Sequence, residues 1–192
     1  MGPLLVAFAG GEAGSWAVER LDTVTGAPLE SVSRVEMIEG GATPGPDRNP
    51  AWVLRGVTSH ERYASQEDHR ALGARQESLG REASTRAALI PITKSGAWWD
   101  LSQDERRWIF EERSHHIATG LEYVPAVARR LHHGRDLGEP FDFVTWFEFA
   151  PEHADAFEEL VDRLRQTPEW AYVEREIDIR LLREPEPTVV SR

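Results

Sequence analysis

The chain has 192 residues, no cysteine and a formal net charge of −11. Without cysteine there are no disulfides, thiolate metal sites, iron–sulfur clusters or cysteine nucleophiles. With so many carboxylates and no basic run, neither a nucleic acid nor an anionic membrane is an expected partner, and an anionic substrate would need a local cationic pocket.

The opening stretch, MGPLLVAFAGGEAG, has an apolar run with no basic residues before it, so it has the character of a first strand and not of a signal peptide. No segment approaches the roughly 18 apolar residues of a spanning helix, and a cytoplasmic location is expected. Residues 3–9 (PLLVAFA), 16–24 (WAVERLDTV) and 31–38 (SVSRVEMI) have strand character and are separated by Gly and Pro turn signals. GGATPGPDRNP, at 40–50, is a loop and the best internal boundary. A strand–helix–strand unit follows: WVLRGVT at 52–58, SQEDHRALGARQESL at 65–79 and AALIPIT at 87–93.

From 102 to 133 the pattern is helical. Ser102 and Glu105 have the spacing of a capping box, and Pro125 should kink or break the helix. In FDFVTWFEF, at 141–149, Phe141, Phe143, Phe147 and Phe149 alternate onto one strand face. Phe157, Leu160, Val161 and Leu164 recur at helical spacing, and YVEREIDIRLL, at 172–182, alternates through Val173, Ile177, Ile179 and Leu181. The expected fold is α+β, with two ferredoxin-like halves sharing a sheet. Residues 1–50 and 51–95 make up the first half, 96–184 the second, and 185–192 a polar tail.

The candidate chemistry starts from the histidines. No H-x-x-x-H pair occurs, and the neighbours His115 and His116 point about 100° apart on a helix, which disfavours a multi-histidine metal site. There is no G-x-S-x-G elbow and no phosphate- or dinucleotide-binding glycine pattern. What remains is one histidine as a single axial ligand to haem, which needs a wide apolar pocket and a second group on the other face. Trp98, Trp99, Trp108, Phe141, Phe143, Trp146 and Phe147 supply aromatic surface, and aromatics at strand period equally suit plain core. Periodicity does not choose between His115 and His116.

Taken in order, RGVT, the K-S-x-x-W-W stretch, S-H-H-I, A-R-R-L, E-P-F-D-F and P-E-W resemble the chlorite dismutase family, and most of all its short-chain branch. The similarity runs from Trp52 to Arg183. It implies a dimeric α+β barrel, haem b as cofactor, chlorite as substrate and a homodimer. It also implies a role for each matching residue. His116 is the proximal iron ligand and Arg129 the distal arginine. Glu169 hydrogen-bonds the proximal imidazole, and Lys94 links that network to the haem propionate side. Gln76 holds the arginine inward, and Trp98 forms pocket wall. A carboxylate on the far nitrogen of a ligating histidine fixes its tautomer and strengthens it as a donor, while an arginine stays charged and can hold a small oxyanion. The implied reaction converts chlorite to chloride and dioxygen through an iron-oxo species and hypochlorite. Two other readings are a coproheme decarboxylase-like or peroxidase-like haem enzyme and a cofactor-free α+β barrel acting as a binding module. A-R-R-L argues against decarboxylation, and the joint presence of His116, Arg129, Glu169 and Lys94 argues against the binding module.

Overall fold

Strands with an apolar residue at every second position need something to cover one face, and here they cover it by closing on each other. The computed structural model describes residues 3–40, 49–58 and 78–183. Gln76 and most of the helix expected at 65–79 lie outside the described residues. Within them, eight strands form a closed antiparallel barrel: β1 (Leu5–Gly11), β2 (Trp16–Thr25), β3 (Arg34–Glu39), β4 (Trp52–Thr58), β5 (Arg86–Lys94), β6 (Val127–His133), β7 (Phe143–Phe149) and β8 (Val173–Arg183). Four helices accompany them: α1 (Gly96–Asp100), α2 (Gln103–Arg107), α3 (His116–Tyr123) and α4 (Ala154–Arg165).

Around the barrel the order is β1-β3-β2-β8-β5-β7-β6-β4, and β4 pairs back onto β1. The same arrangement therefore occurs twice. In β4-β1-β3-β2 and in β8-β5-β7-β6, the fourth strand of the set lies beside the first, then the third, then the second. The protein is thus an α+β fold built on an eight-stranded barrel.

An eight-stranded barrel is just wide enough for side chains to fill it. Phe8, Trp16, Leu54, Leu89, Trp146, Ile177 and Ile179 do so, each buried in one apolar cluster. A second cluster lies outside the sheet, where Ala88, Ile90, Phe147 and Phe149 meet Phe157, Leu160, Val161 and Leu164 of α4. Because β5 is buried on both faces, its sequence is an unbroken apolar run, AALIPI, and not an alternation. The outer face of β8 differs. It carries Glu176, Asp178 and Arg180, all buried, which are tied to Arg165 and Glu158 of α4. Charges withdrawn from water persist only when paired in this way.

Several expectations are corrected. The helical region expected from 102 to 133 is broken up. The capping box at Ser102 and Glu105 forms, but α2 passes into a π-helical turn, Trp108–Arg113, and α3 ends at Tyr123. Pro125 has no amide hydrogen, and the residue before a proline is pushed towards extended backbone. Val124 is extended accordingly. VARRLHH, expected to be helical, is β6, selected by its pairing with β7 and β4. The alternating face of β7 holds Phe143, Phe147 and Phe149, whereas Phe141 precedes the strand and packs inside the barrel with Trp146. Those two aromatics are core. Trp108 is 51% exposed.

On β6, the residues that alternate with Val127, Arg129, Leu131 and His133 point inward. His132 is fully buried, edge-on to Phe8 at 5.0 Å, and one ring nitrogen lies 2.9 Å from the Val144 carbonyl. Gly56 of β4 makes room for it, since a Cβ there would sit 2.6 Å from the His132 Cβ. Burial pushes the His132 pKa down to about 4, against the Val144 hydrogen bond, which favours the charged form. Between the ordinary value near 6.5 and about 4, the unfolded chain takes up a proton that the folded chain refuses, so stability is lost as pH falls through that window. The loss from this group amounts to about 3 kcal/mol at most. Urea unfolding at pH 7.5 and pH 4.5 should show His132→Gln with a markedly smaller acid loss than the parent; an equal loss would mean that His132 is not the source.

Candidate functional site

β5 ends on a lysine that the sheet does not expose. The register against β8 shifts between Thr93 and Lys94, and the Lys94 amide donates to Asp142 Oδ2 at 2.8 Å. Its side chain is 4% exposed. The ammonium lies 4.8 Å from the Trp98 ring centroid and 5.5 Å from that of Trp170, in reach of cation–π attraction to both.

Its partner comes from a short 3-10 turn, Pro168–Tyr172, which proline opens with its preset φ. There Glu169 is buried, and its backbone amide donates to Ser114 Oγ at 3.0 Å. Lys94 Nζ donates to Glu169 Oε1 at 2.7 Å. The other carboxylate oxygen, Oε2, lies 2.8 Å from His116 Nδ1. Burial would raise the Glu169 pKa, but the His116 and Lys94 charges outweigh it and hold the carboxyl at about 2. Glu169 is thus an anion throughout the neutral range. It fixes Nδ1 of His116 as the hydrogen-bonded nitrogen and leaves Nε2 for a ligand in the pocket.

The two histidines divide cleanly. His115 is exposed and takes up the left-handed conformation, φ 50°, at the start of α3. His116 opens the helix proper, partly buried, with the Phe110 ring stacked on it at 4.3 Å.

His116 lines a cavity of about 1270 Å³, measured to its open mouth. α3 contributes His116, Ile117, Gly120 and Tyr123, while α4 contributes Leu160, Val161 and Leu164. The outer sheet face supplies Ile90, Ile92, Arg129, Leu131, His133, Phe143, Thr145 and Phe147. Of the residues singled out in the sequence, the fold brings His116, Glu169, Lys94, Trp98 and Arg129 to this one cavity. Gln76 lies outside the described residues. Arg129 is half-buried on β6, opposite Phe147 of β7. Arg163 pairs with Glu122, and Arg165 with Glu176 and Asp178, so neither takes Glu169 as its partner.

Haem fits the donor set. Among the described residues no three His, Cys, Asp or Glu side chains cluster to hold a bare ion. One imidazole with its far nitrogen on a carboxylate, facing a wide apolar cavity, suits a group that brings its own equatorial ligands.

Sequence reasoning missed Phe110, Ser114, Asp142, Trp170 and Glu176. Phe110 stands roughly one and two-thirds α-helical turns before His116, on a different face; the π turn and the left-handed His115 between them break that periodicity, and the rings meet. Asp142 collects the Lys94 amide, the Trp99 indole and Arg135. Glu176 accepts the Trp170 indole at 2.9 Å. Their separations in the chain carry no local pattern.

The profile of the family described as "Chlorite dismutase" matches residues 45–183. The chlorite dismutase of Ideonella dechloratans is 30% identical over 121 residues, 62% of this chain, and the match spans 40% of that relative's length. The crystal structure of a dimeric chlorite dismutase from Nitrobacter winogradskyi is 53% identical, with a TM-score of 0.85 over 93% of this chain and 99% of that one. A tryptophan-to-valine variant of the enzyme from Candidatus Nitrospira defluvii is 20% identical with a TM-score of 0.69, over 95% of this chain and 91% of that one, a likeness of fold.

Lys94 and Glu169 are buried together, so removing one strands the other. Glu169→Ala should cost about 3–5 kcal/mol in chemical unfolding. Adding Lys94→Met to it should recover much of that loss, because an unpaired buried charge and not a lost contact dominates the cost. A double variant no more stable than Glu169→Ala would refute this account of the pair.

Proposed function

The chain belongs to the chlorite dismutase family, and from that premise and the pocket geometry we propose that it converts chlorite to chloride and dioxygen on haem b held by His116. The observation that carries the proposal is the carboxylate-bound imidazole of His116 in the same apolar cavity as Arg129. Haem, when bound, supplies an iron able to accept an oxygen atom from the substrate; the overall change, ClO2⁻ to Cl⁻ and O2, needs no outside electrons.

The protein's own groups do the rest. Glu169, an anion held between the Lys94 ammonium and the His116 imidazole, keeps the Nδ1 proton on His116 and makes Nε2 a stronger donor to iron. Lys94 neutralises that carboxylate, and the aromatic walls Trp98 and Trp170 keep water from the pair. Arg129 provides a permanent charge on the sheet wall, where a chain of net charge −11 would otherwise repel an anion. In a largely apolar cavity its attraction for chlorite, and for the hypochlorite fragment produced from it, is stronger than in water. Gln76 is assigned the task of holding Arg129 inward, and Trp98 that of pocket wall.

The same proposal takes the repeated strand order as two ferredoxin-like halves, residues 1–95 and 96–184, with 185–192 as a tail. It takes the molecule to be a homodimer, supported by the likeness to a dimeric relative. A cytoplasmic, detoxifying role completes it. Among the described residues no helix is long and apolar enough to cross a membrane.

An oxygen electrode tests the activity. Haem-loaded protein given chlorite should release close to one dioxygen per chlorite, a yield that free haemin does not match; haem-bound protein without oxygen release would sink the proposal. His116→Ala should lose most haem. Arg129→Ala should keep haem but turn over more slowly, with the haem absorbance bleaching sooner as hypochlorite escapes; an unchanged yield and lifetime would remove Arg129 from the mechanism.

A further inference from the structure

The π-helical turn Trp108–Arg113 is not absorbed by the function above, yet three of its local contacts converge on His116. The Phe110 ring lies on the imidazole with centroids 4.3 Å apart and planes 20° apart. Glu111 Oε2 accepts the Ile117 amide at 2.9 Å, and the Glu111 carbonyl accepts the His115 amide at 2.9 Å. Directly after the turn, Ser114 Oγ accepts the amide of Glu169.

These contacts answer two physical needs. First, a helix leaves its initial amides unsatisfied, normally to be met by an N-cap Ser, Thr, Asp or Asn. The N-cap of α3 is His115 in the left-handed region, with no side-chain cap. Glu111, reaching from the preceding turn, takes that place. Second, the Glu169 hydrogen bond fixes the position of Nδ1 but leaves the ring free to swing about it. A stacked aromatic face removes that freedom. π turns are rare in helices and frequent at functional sites; here the π turn, followed by left-handed His115, replaces the continuous α-helical path that would set Phe110 and His116 on different faces.

We propose that this turn is a positioning device for the axial ligand, with Phe110 clamping the plane of the His116 imidazole and Glu111 acting as the surrogate cap that fixes the first turn of α3. Both are positioning residues, since each acts through His116 or its helix and neither is a donor to iron; Phe110 also lines the cavity. The inference rests on His116 being the haem ligand.

Two readouts on the ferrous holoprotein test it: the iron–imidazole stretching band in resonance Raman, and the rate of haem transfer to excess apomyoglobin. Phe110→Leu and Glu111→Ala should each shift and broaden the band and speed haem loss about 10-fold, the low end of the effect of altering a ligand's support. Glu111→Gln keeps a side-chain carbonyl for the Ile117 amide and should restore both band and rate. An unmoved band and rate in Phe110→Leu and Glu111→Ala would overturn the proposal, as would Glu111→Gln behaving like Glu111→Ala. Should Phe110→Leu fail to fold, the two Glu111 variants decide between cap and bystander. Failure of the premise is separately visible: a parent protein with no iron–imidazole band, or one that survives His116→Ala, would overturn the choice of ligand and this inference with it.

Discussion

The site depends on one buried carboxylate. Glu169 is withdrawn from water and persists as an anion because Lys94 stands against one oxygen and His116 against the other. The buried Lys94 ammonium needs that carboxylate as its partner, and without its two partners burial would drive the Glu169 carboxyl towards its neutral form. The three groups come from β5, from the first residue of α3 and from a 3-10 turn before β8, so the charge balance also fastens three separated segments. The imidazole thereby acquires a defined tautomer as a by-product of keeping the interior electrically neutral.

Around this triad the sheet has two different jobs on its two faces. The barrel interior is packed with Phe8, Trp16, Trp146 and the isoleucines of β8. The cavity has to lie on the outer face of the second strand set, under α3 and α4. That is why β5 is apolar on both sides and why the outer face of β8 hides charges. Glu176 and Asp178 sit beneath Arg165, and Glu176 in turn anchors the Trp170 indole that faces Lys94. The ion pairs of β8 and the triad are therefore neighbouring layers of one polar seam along the cavity, joined through a tryptophan.

Much of this could be read from the chain, and its errors have physical causes. Strands 52–58 and 87–93 were legible because their apolar runs are bounded by turn residues, and α4 because Phe157, Leu160, Val161 and Leu164 share a stripe. The capping box at Ser102 was legible because it is a contact between near neighbours. VARRLHH was misread as helix. Its residues tolerate helical backbone, and only hydrogen bonding to β7 and β4 makes it a strand. Arg129 lines the cavity although the secondary structure of its segment was misread, because a motif preserves residue order and says nothing of the ladder that carries it. The burial of the charged face of β8 was not legible, since nothing in EREIDIR announces that α4 will cover it.

By itself the sequence determined where strands and helices can start and stop, that no thiolate chemistry is available, and which family's ordered motifs the chain carries. These are properties of residues near one another or of composition, and local sterics, caps and apolar periodicity suffice to set them. Only the tertiary structure decided which histidine meets Glu169, 53 residues away, that the chain's single lysine, Lys94, neutralises it, 75 residues away, and that the cavity opens outside the barrel. Such choices are made by burial and pairing energies that do not exist until distant segments meet. A carboxylate on an isolated turn has no reason to prefer His116 to His115; once it is enclosed, the histidine turned towards it is the one that remains.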